Sequence, residues 1–212
     1  MEAEAKSMNK KNIFFIAVFA FVATILYYSF QGGTSTEDYI KKLLSDRKAK
    51  DEFMKSGNDS PFGDEKKEFK GLNYFAPDIT YRISAKLIPI QNKKMMLLPT
   101  SDGKEKKYLE YAFAEFELNS TVCKLLILEI PEGEYRGTLF LAFADETSAN
   151  ETYGAGRYLD LKKVPGASSI TLDFNEAYNP YCAYSDKFSC PFPPRQNTLR
   201  VSIKAGEKKY HD

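Results

Sequence analysis

The sequence predicts a mainly β protein: an antiparallel meander forming a sandwich or barrel, with an N-terminal membrane-anchor helix and one amphipathic helix packed beside the sheet. Three observations predict it. From Ile79 onward apolar residues recur at every second position, the period of a half-buried strand. Short polar turns separate the successive runs, as in an all-β meander. No helical period recurs after the first helix, which counts against a parallel α/β sheet.

The first element is Ile13–Phe30 (IFFIAVFAFVATILYYSF), an uncharged apolar run preceded by Lys6, Lys10 and Lys11. At about 1.5 Å per residue it reaches close to the hydrocarbon thickness of a bilayer. It is longer than the apolar region of a typical cleaved leader, and Ser29-Phe30-Gln31 matches a cleavage site poorly. The reading is a single-pass signal anchor at residues 13–30, with secretion after cleavage as the alternative. The lysines keep residues 1–12 in the cytoplasm and place the following domain outside, in the periplasm. Met8 is an alternative start, because MNKKNIFF is itself a compact n-region.

Residues 31–35 form a short link, and 36–212 read as a single extracytoplasmic β-rich domain. Thr34 and Glu37 match a capping box, predicting a helix over Thr36–Lys55 whose thin apolar stripe packs only partly on the domain. Eight strands follow: Ile79–Leu87, Met95–Leu98, Lys107–Leu118, Val122–Ile130, Thr138–Ala144, Arg157–Leu161, Ser169–Phe174 and Thr198–Lys204. Ser101-Asp102-Gly103, Asn119-Ser120-Thr121 and Pro131–Gly137 supply turn chemistry between them.

Composition removes several function classes. The 30 basic and 29 acidic residues nearly cancel, and no basic stripe of the kind that binds nucleic acid stands out. The Lys104–Lys107 spot reads as a solvated turn. The only histidine is His211, so Ser-His-Asp and Cys-His pairs and histidine metal sites are not expected. No cofactor and no metal are called for.

Two connections break the short-turn pattern. One is Asp145–Gly156 (DETSANETYGAG); the other is Asn175–Asn197 (NEAYNPYCAYSDKFSCPFPPRQN), which carries two of the three cysteines. Loops this long within a compact domain are usually functional or specially constrained. Gly154-Ala155-Gly156 precedes a strand and opens no helix, so it reads as turn relief and not as a phosphate cradle. Arg157 and Asp173, at the ends of successive strands, read as a structural ion pair; left open, Arg157 would fork onto a carboxylate or phosphate. Asn175 and Asn179 suit irregular backbone. Tyr153, Tyr178, Tyr181 and Tyr184 pack the loop or line a pocket. Cys182 and Cys190 are read as a disulfide, worth about 2–3 kcal/mol for so short a loop. A zinc site lacks ligands, and a catalytic thiol lacks a histidine base. Cys123, inside an apolar strand, reads as a buried free thiol.

Gly71–Leu87 (GLNYFAPDITYRISAKL), Asp145–Leu161 (DETSANETYGAGRYLDL) and Leu172–Glu207 together resemble the bacterial and archaeal family known as domain of unknown function 1684. The resemblance covers about Asp38–Glu207 and implies one whole domain, without implying an activity, substrate or cofactor. It points to Tyr153, Gly156, Arg157, Asp173, Asn175, Tyr178, Asn179, Cys182, Tyr184, Cys190 and Asn197. It also implies that many relatives lack an anchor, so that the cysteines are not required as a disulfide throughout.

The expectation is a membrane-anchored β-domain that binds a small, anionic or other, ligand or a protein partner. Its candidate ligand residues are Tyr153, Arg157, Asp173, Asn175, Tyr178, Asn179, Tyr184 and Asn197. The alternative is a hydrolase- or transferase-like enzyme using Arg157, Asp173 and Cys182.

Overall fold

A computed structural model of the chain describes residues 18–22, 24, 35–63 and 69–211. Most of Ile13–Phe30 lies outside these residues, and among the described ones no helix is long and apolar enough to cross a membrane. The chain divides between Lys41 and Lys42 into two compact units, and the sheet belongs wholly to the second.

Helix α1 runs over Thr36–Ser56. Its cap is Ser35, whose Oγ accepts from the Asp38 N–H at 3.0 Å and donates to the Asp38 carboxylate at 2.8 Å. The N-cap is thus one residue later than the expected Thr34, and the third-position carboxylate reaches back to the cap's hydroxyl and not to its N–H; Thr34 itself lies outside the described residues. With Leu43 and Met54 its only buried residues, α1 is held largely by polar contacts. Arg47 donates to the Phe75 and Asn175 carbonyls at 2.8 and 3.1 Å, and Asp51 accepts from the Leu72 N–H at 3.1 Å.

Seven strands follow: β1 (Arg82–Pro89), β2 (Met95–Pro99), β3 (Glu105–Leu118), β4 (Thr121–Glu129), β5 (Leu139–Phe143), β6 (Arg157–Leu161) and β7 (Ser169–Asp173). All pair antiparallel, in the order β6-β5-β4-β3-β1-β7, with β2 on the first half of β3. The meander is one sheet curled into a half-barrel. Its inner face carries the main core, built from Ala85, Phe116, Leu125, Ile127, Leu141, Phe143, Leu159 and Leu172 among others. The β4 residues Leu125–Leu128 are all almost fully buried, because both faces of this central strand are covered. Cys123 is buried and free on its inner side.

Two strand expectations are corrected. The first strand begins at Arg82, since Ile79–Tyr81 form a 3-10 turn capped by the Asp78 carboxylate at 2.9 Å from the Thr80 N–H. Thr198–Lys204 is no ladder strand. Leu199, Val201, Ile203 and Ala205 do alternate into the core, but the segment fills the open side of the half-barrel and its backbone is satisfied piecemeal. The Leu199 N–H reaches the Ala144 carbonyl at 2.8 Å, and the Val201 carbonyl accepts from the Glu146 N–H at 3.2 Å. Alternation reports burial on one side only; it does not say whether a neighbouring strand supplies the hydrogen bonds. The segment ends at Gly206, where φ is +76° and an ideal Cβ would lie 2.6 Å from both the Phe174 and Ala177 carbonyl oxygens; only glycine fits there.

Candidate functional site

Most of the residues singled out in the sequence are spent inside the fold. Arg157 faces the core from β6 with no exposed surface. Its Nη2 pairs with the Asp145 carboxylate at 2.8 Å and donates to the Ile203 carbonyl at 3.0 Å; Nη1 donates to the Ala205 and Glu207 carbonyls. The Ile203 and Ala205 carbonyls belong to the segment that has no strand beside it, so the guanidinium fork replaces a missing strand edge there. Burial lowers the Arg157 pKa and the Asp145 charge raises it again.

The expected ion pair between Arg157 and Asp173 is therefore corrected. Asp173 follows the core residue Leu172 on β7 and points to the other side of the sheet, 3.3 Å from the Arg82 Nε. It also caps the turn at Asn175. Arg157 is closed, and no anion-binding fork remains open. The enzyme constellation of Arg157, Asp173 and Cys182 is likewise not assembled, because Arg157 lies on the inner face and Asp173 on the outer.

The asparagines act as portable backbone. Asn197, fully buried, accepts from the Leu126 N–H at 2.7 Å and donates to the Leu126 and Ala142 carbonyls at 2.9 and 2.8 Å. It sits where β4 and β5 diverge after pairing only Leu128 with Phe140 and Glu129 with Leu139, so one side chain bridges two strands. Asn175 accepts from the Asp78 N–H at 2.9 Å and donates to its carbonyl at 2.7 Å. Asn179 donates to Glu207 at 3.0 Å and to the Lys208 carbonyl at 2.7 Å. Glu207, fully buried, also accepts from Tyr184 and from Lys50, the latter at 2.9 Å.

The outer face behaves differently. At Tyr111 a bulge shifts the β3 register between Glu110 and Ala112, so that both Tyr108 and Phe113 face outward with Leu126 and Leu128. Tyr108 stacks on Phe140 with centroids 4.8 Å apart. Phe140 meets Tyr158 edge-on at 4.9 Å, and Tyr158 meets Tyr178 edge-on at 5.9 Å. The result is an aromatic row crossing β3, β5, β6 and the long loop. It floors a cleft of about 720 Å³ whose walls are Tyr181, Phe188, Ser189, Cys190 and Pro191 of the loop and Lys50, Phe53 and Met54 of α1; Lys106, Asp160 and Glu176 also line it. Burial raises the Glu176 pKa, with the nearby Asp173 charge adding to it. Tyr178 donates to Asp160 at 2.9 Å and lies under the Lys50 ammonium at 4.7 Å.

The loop is zipped to the tip of the β2–β3 hairpin. Ser101 donates its N–H to the Cys190 carbonyl at 3.0 Å and accepts from the Cys190 N–H at 3.1 Å, while Ser189 donates to Asp102 at 2.6 Å. The two long connections meet. An ideal Cβ on Gly156 (φ +87°) would lie 2.7 Å from Pro193 and 2.6 Å from the Phe143 carbonyl oxygen, and the Tyr153 hydroxyl is 3.8 Å from Cys182 Sγ. The expected bridge is not formed: Cys182 and Cys190 are both free thiols. Of the eight candidate ligand residues only Tyr178 lines the cleft. The sequence reading missed Lys50, Tyr108, Phe140 and Tyr158 there, and Asp145 and Glu207 within. Asp145 had a local signal, since Asp145-Glu146-Thr147 is an Asx turn in which its carboxylate accepts from the Thr147 N–H at 2.8 Å.

The fold is a curled antiparallel half-barrel with an aromatic cleft on its outer face. The chain belongs to the family described as protein of unknown function (DUF1684), whose model matches residues 67–208. It is similar to an uncharacterised protein of Haloarcula marismortui solved by solution NMR, with 39% identity over 82% of this chain and 95% of that one and a TM-score of 0.63. No curated protein matches it.

Proposed function

We propose that the domain is a binding module whose outer cleft takes a small molecule with a flat, largely apolar body and a polar edge. The observation that carries this reading is the aromatic row of Tyr108, Phe140, Tyr158 and Tyr178, which lines the cleft with Phe140 and Tyr178 half-buried and Tyr108 and Tyr158 buried beside them. About 720 Å³ is within the range of small-ligand sites. Ring faces favour a planar guest, and Lys50, Lys106, Asp160 and Glu176 offer charge near its edge. Tyr178 stays a candidate ligand residue on this reading; Arg157, Asp173, Asn175, Asn179 and Asn197 are the frame that fixes the loop. From the run Ile13–Phe30 and the lysines before it we further infer that the domain is held at a membrane, on the extracytoplasmic side. A reporter fused after Asp212 that is active only in the cytoplasm would overturn that placement.

The binding reading is tested by titrating naphthoate and quinoline while following backbone NMR shifts. Shifts are expected at Tyr158, Tyr178 and Phe188. Phe53→Asp, on the α1 wall, should weaken binding by about tenfold, the loss of roughly 1.4 kcal/mol of apolar contact. Val122→Asp, at an exposed position of β4, should leave binding unchanged. Shifts confined to other surfaces, or equal affinity in Phe53→Asp, would overturn the reading.

A further inference from the structure

We propose that Cys182 and Cys190 form a redox-active dithiol that reduces a small-molecule disulfide, with Cys182 attacking and Cys190 resolving. The two thiols are free, and the Cys182 N–H donates to Cys190 Sγ at 3.3 Å, which places the two residues side by side. Their environments are unequal in the way such a pair requires. Cys182 is half-buried in the middle of the 3-10 turn Tyr181–Ala183, with the Tyr153 hydroxyl 3.8 Å from its sulfur. Cys190 is buried, pinned on both backbone sides by Ser101, and forms part of the cleft wall.

The charges follow the geometry. The neighbouring Cys190 thiol brings the Cys182 thiol down to about 6, against the effect of burial and with help from Tyr153 and Ser101. Cys182, with burial, in turn pushes the Cys190 thiol up. Lys106 on β3 favours the Cys190 thiolate; burial and then the cysteines raise the Tyr108 and Tyr158 phenols that face them, and Asp186 acts on Tyr153 from the loop. An accessible thiolate beside a shielded thiol is the arrangement of an attacking and a resolving sulfur. Cys182, the attacking sulfur, is only half-buried and lies within a folded loop, a position that a small disulfide reaches more readily than a folded protein does.

The exchange balances without another reagent. Cys182 thiolate attacks one sulfur of the substrate disulfide; that S–S bond breaks, and the first thiolate leaves. Cys190 then attacks Cys182 Sγ, giving its proton to a departing thiolate, and the second thiol leaves. The substrate gains two electrons and is released as two thiols, while the protein keeps a Cys182–Cys190 disulfide. The proposal does not depend on what else the cleft binds.

The test uses the full chain carrying Cys123→Ala, oxidised glutathione and intact-mass measurement. The protein should lose two protons' mass and release two glutathiones. With Cys190→Ser it should stop with one glutathione on Cys182, and with Cys182→Ser it should react at least about tenfold more slowly. Iodoacetamide should alkylate Cys182 with a midpoint near pH 6, because the thiolate is present above its pKa. If Cys190→Ser does not fold, the mixed disulfide is sought in the Cys123→Ala protein quenched early in the reaction. No mixed disulfide in either, or an alkylation midpoint above about pH 8, overturns the proposal.

Discussion

The inner and outer faces of the half-barrel are both rich in chemistry-bearing side chains, yet they use them in opposite ways. Inside, Arg157, Asp145, Asn197 and Glu207 are fully or almost fully buried, and each is engaged by several partners of the protein itself. Outside, Tyr108, Phe140, Tyr158 and Tyr178 line an open cleft, with Cys190 in its wall and Cys182 next to Cys190. The contrast teaches that a polar residue in a tight motif is not thereby a site residue. A curled sheet that does not close leaves backbone carbonyls with no strand beside them, and buried polar groups must be satisfied. Here arginine and asparagine side chains do that work.

The largest effect should come from the inner arginine. Arg157→Met leaves the Asp145 carboxylate buried beside nothing positive and strips the Ile203, Ala205 and Glu207 carbonyls of their donor. Breaking a buried pair by removing one partner costs about 3–5 kcal/mol, and urea denaturation should show a loss of that size. A loss below about 1 kcal/mol would mean that the pair is solvated and the inner face is not sealed. Asn197→Asp comes next. It keeps the shape but replaces two donated hydrogen bonds with repulsion against the Leu126 and Ala142 carbonyls, and about 2–4 kcal/mol should be lost. If instead Asn197→Asp proves neutral while Arg157→Met is not, the β4–β5 divergence does not need a bridge.

These two residues also mark how far the sequence could be read. β6 is found with its bounds, and β2 to β5 and β7 to within about two residues, the usual uncertainty of element ends, because the period of two is a local property. Partners of side chains are not local. Arg157 lies closer in sequence to Asp145 than to Asp173, but spacing does not say which carboxylate shares its face of the sheet; the alternation of β6 and β7 about the core decides that. Thr198–Lys204 reads as a strand because burial alternates there, and nothing in the residues tells whether hydrogen bonds come from a ladder or from Arg157. The cleft was the least legible part. Tyr108, Phe140 and Tyr158 each look like core aromatics, and it takes the bulge at Tyr111 and the docking of Asn175–Asn197 to set them along one open row.

The smallest stability effect should come from Tyr178→Phe, and it is the one that separates frame from site. The hydroxyl donates to Asp160, an exposed residue of β6, so water replaces the lost partner and the net cost should stay below about 1 kcal/mol. The ring remains edge-on to Tyr158, and its backbone pairing with Tyr158, at 2.8 and 3.0 Å, is untouched. Burial, with Asp160 adding to it, raises the pKa of this phenol, so the hydroxyl is a neutral donor at any ordinary pH and its removal changes no charge in the cleft. A guest lying along the aromatic row would still sense the change, because Asp160 is then free to turn its charge towards the cleft. Naphthoate, an anion, should bind Tyr178→Phe more weakly than the parent protein does, while quinoline should not lose affinity. Equal weakening of both would place Tyr178 in the frame with Arg157 and Asn197; a change in naphthoate alone keeps it at the site.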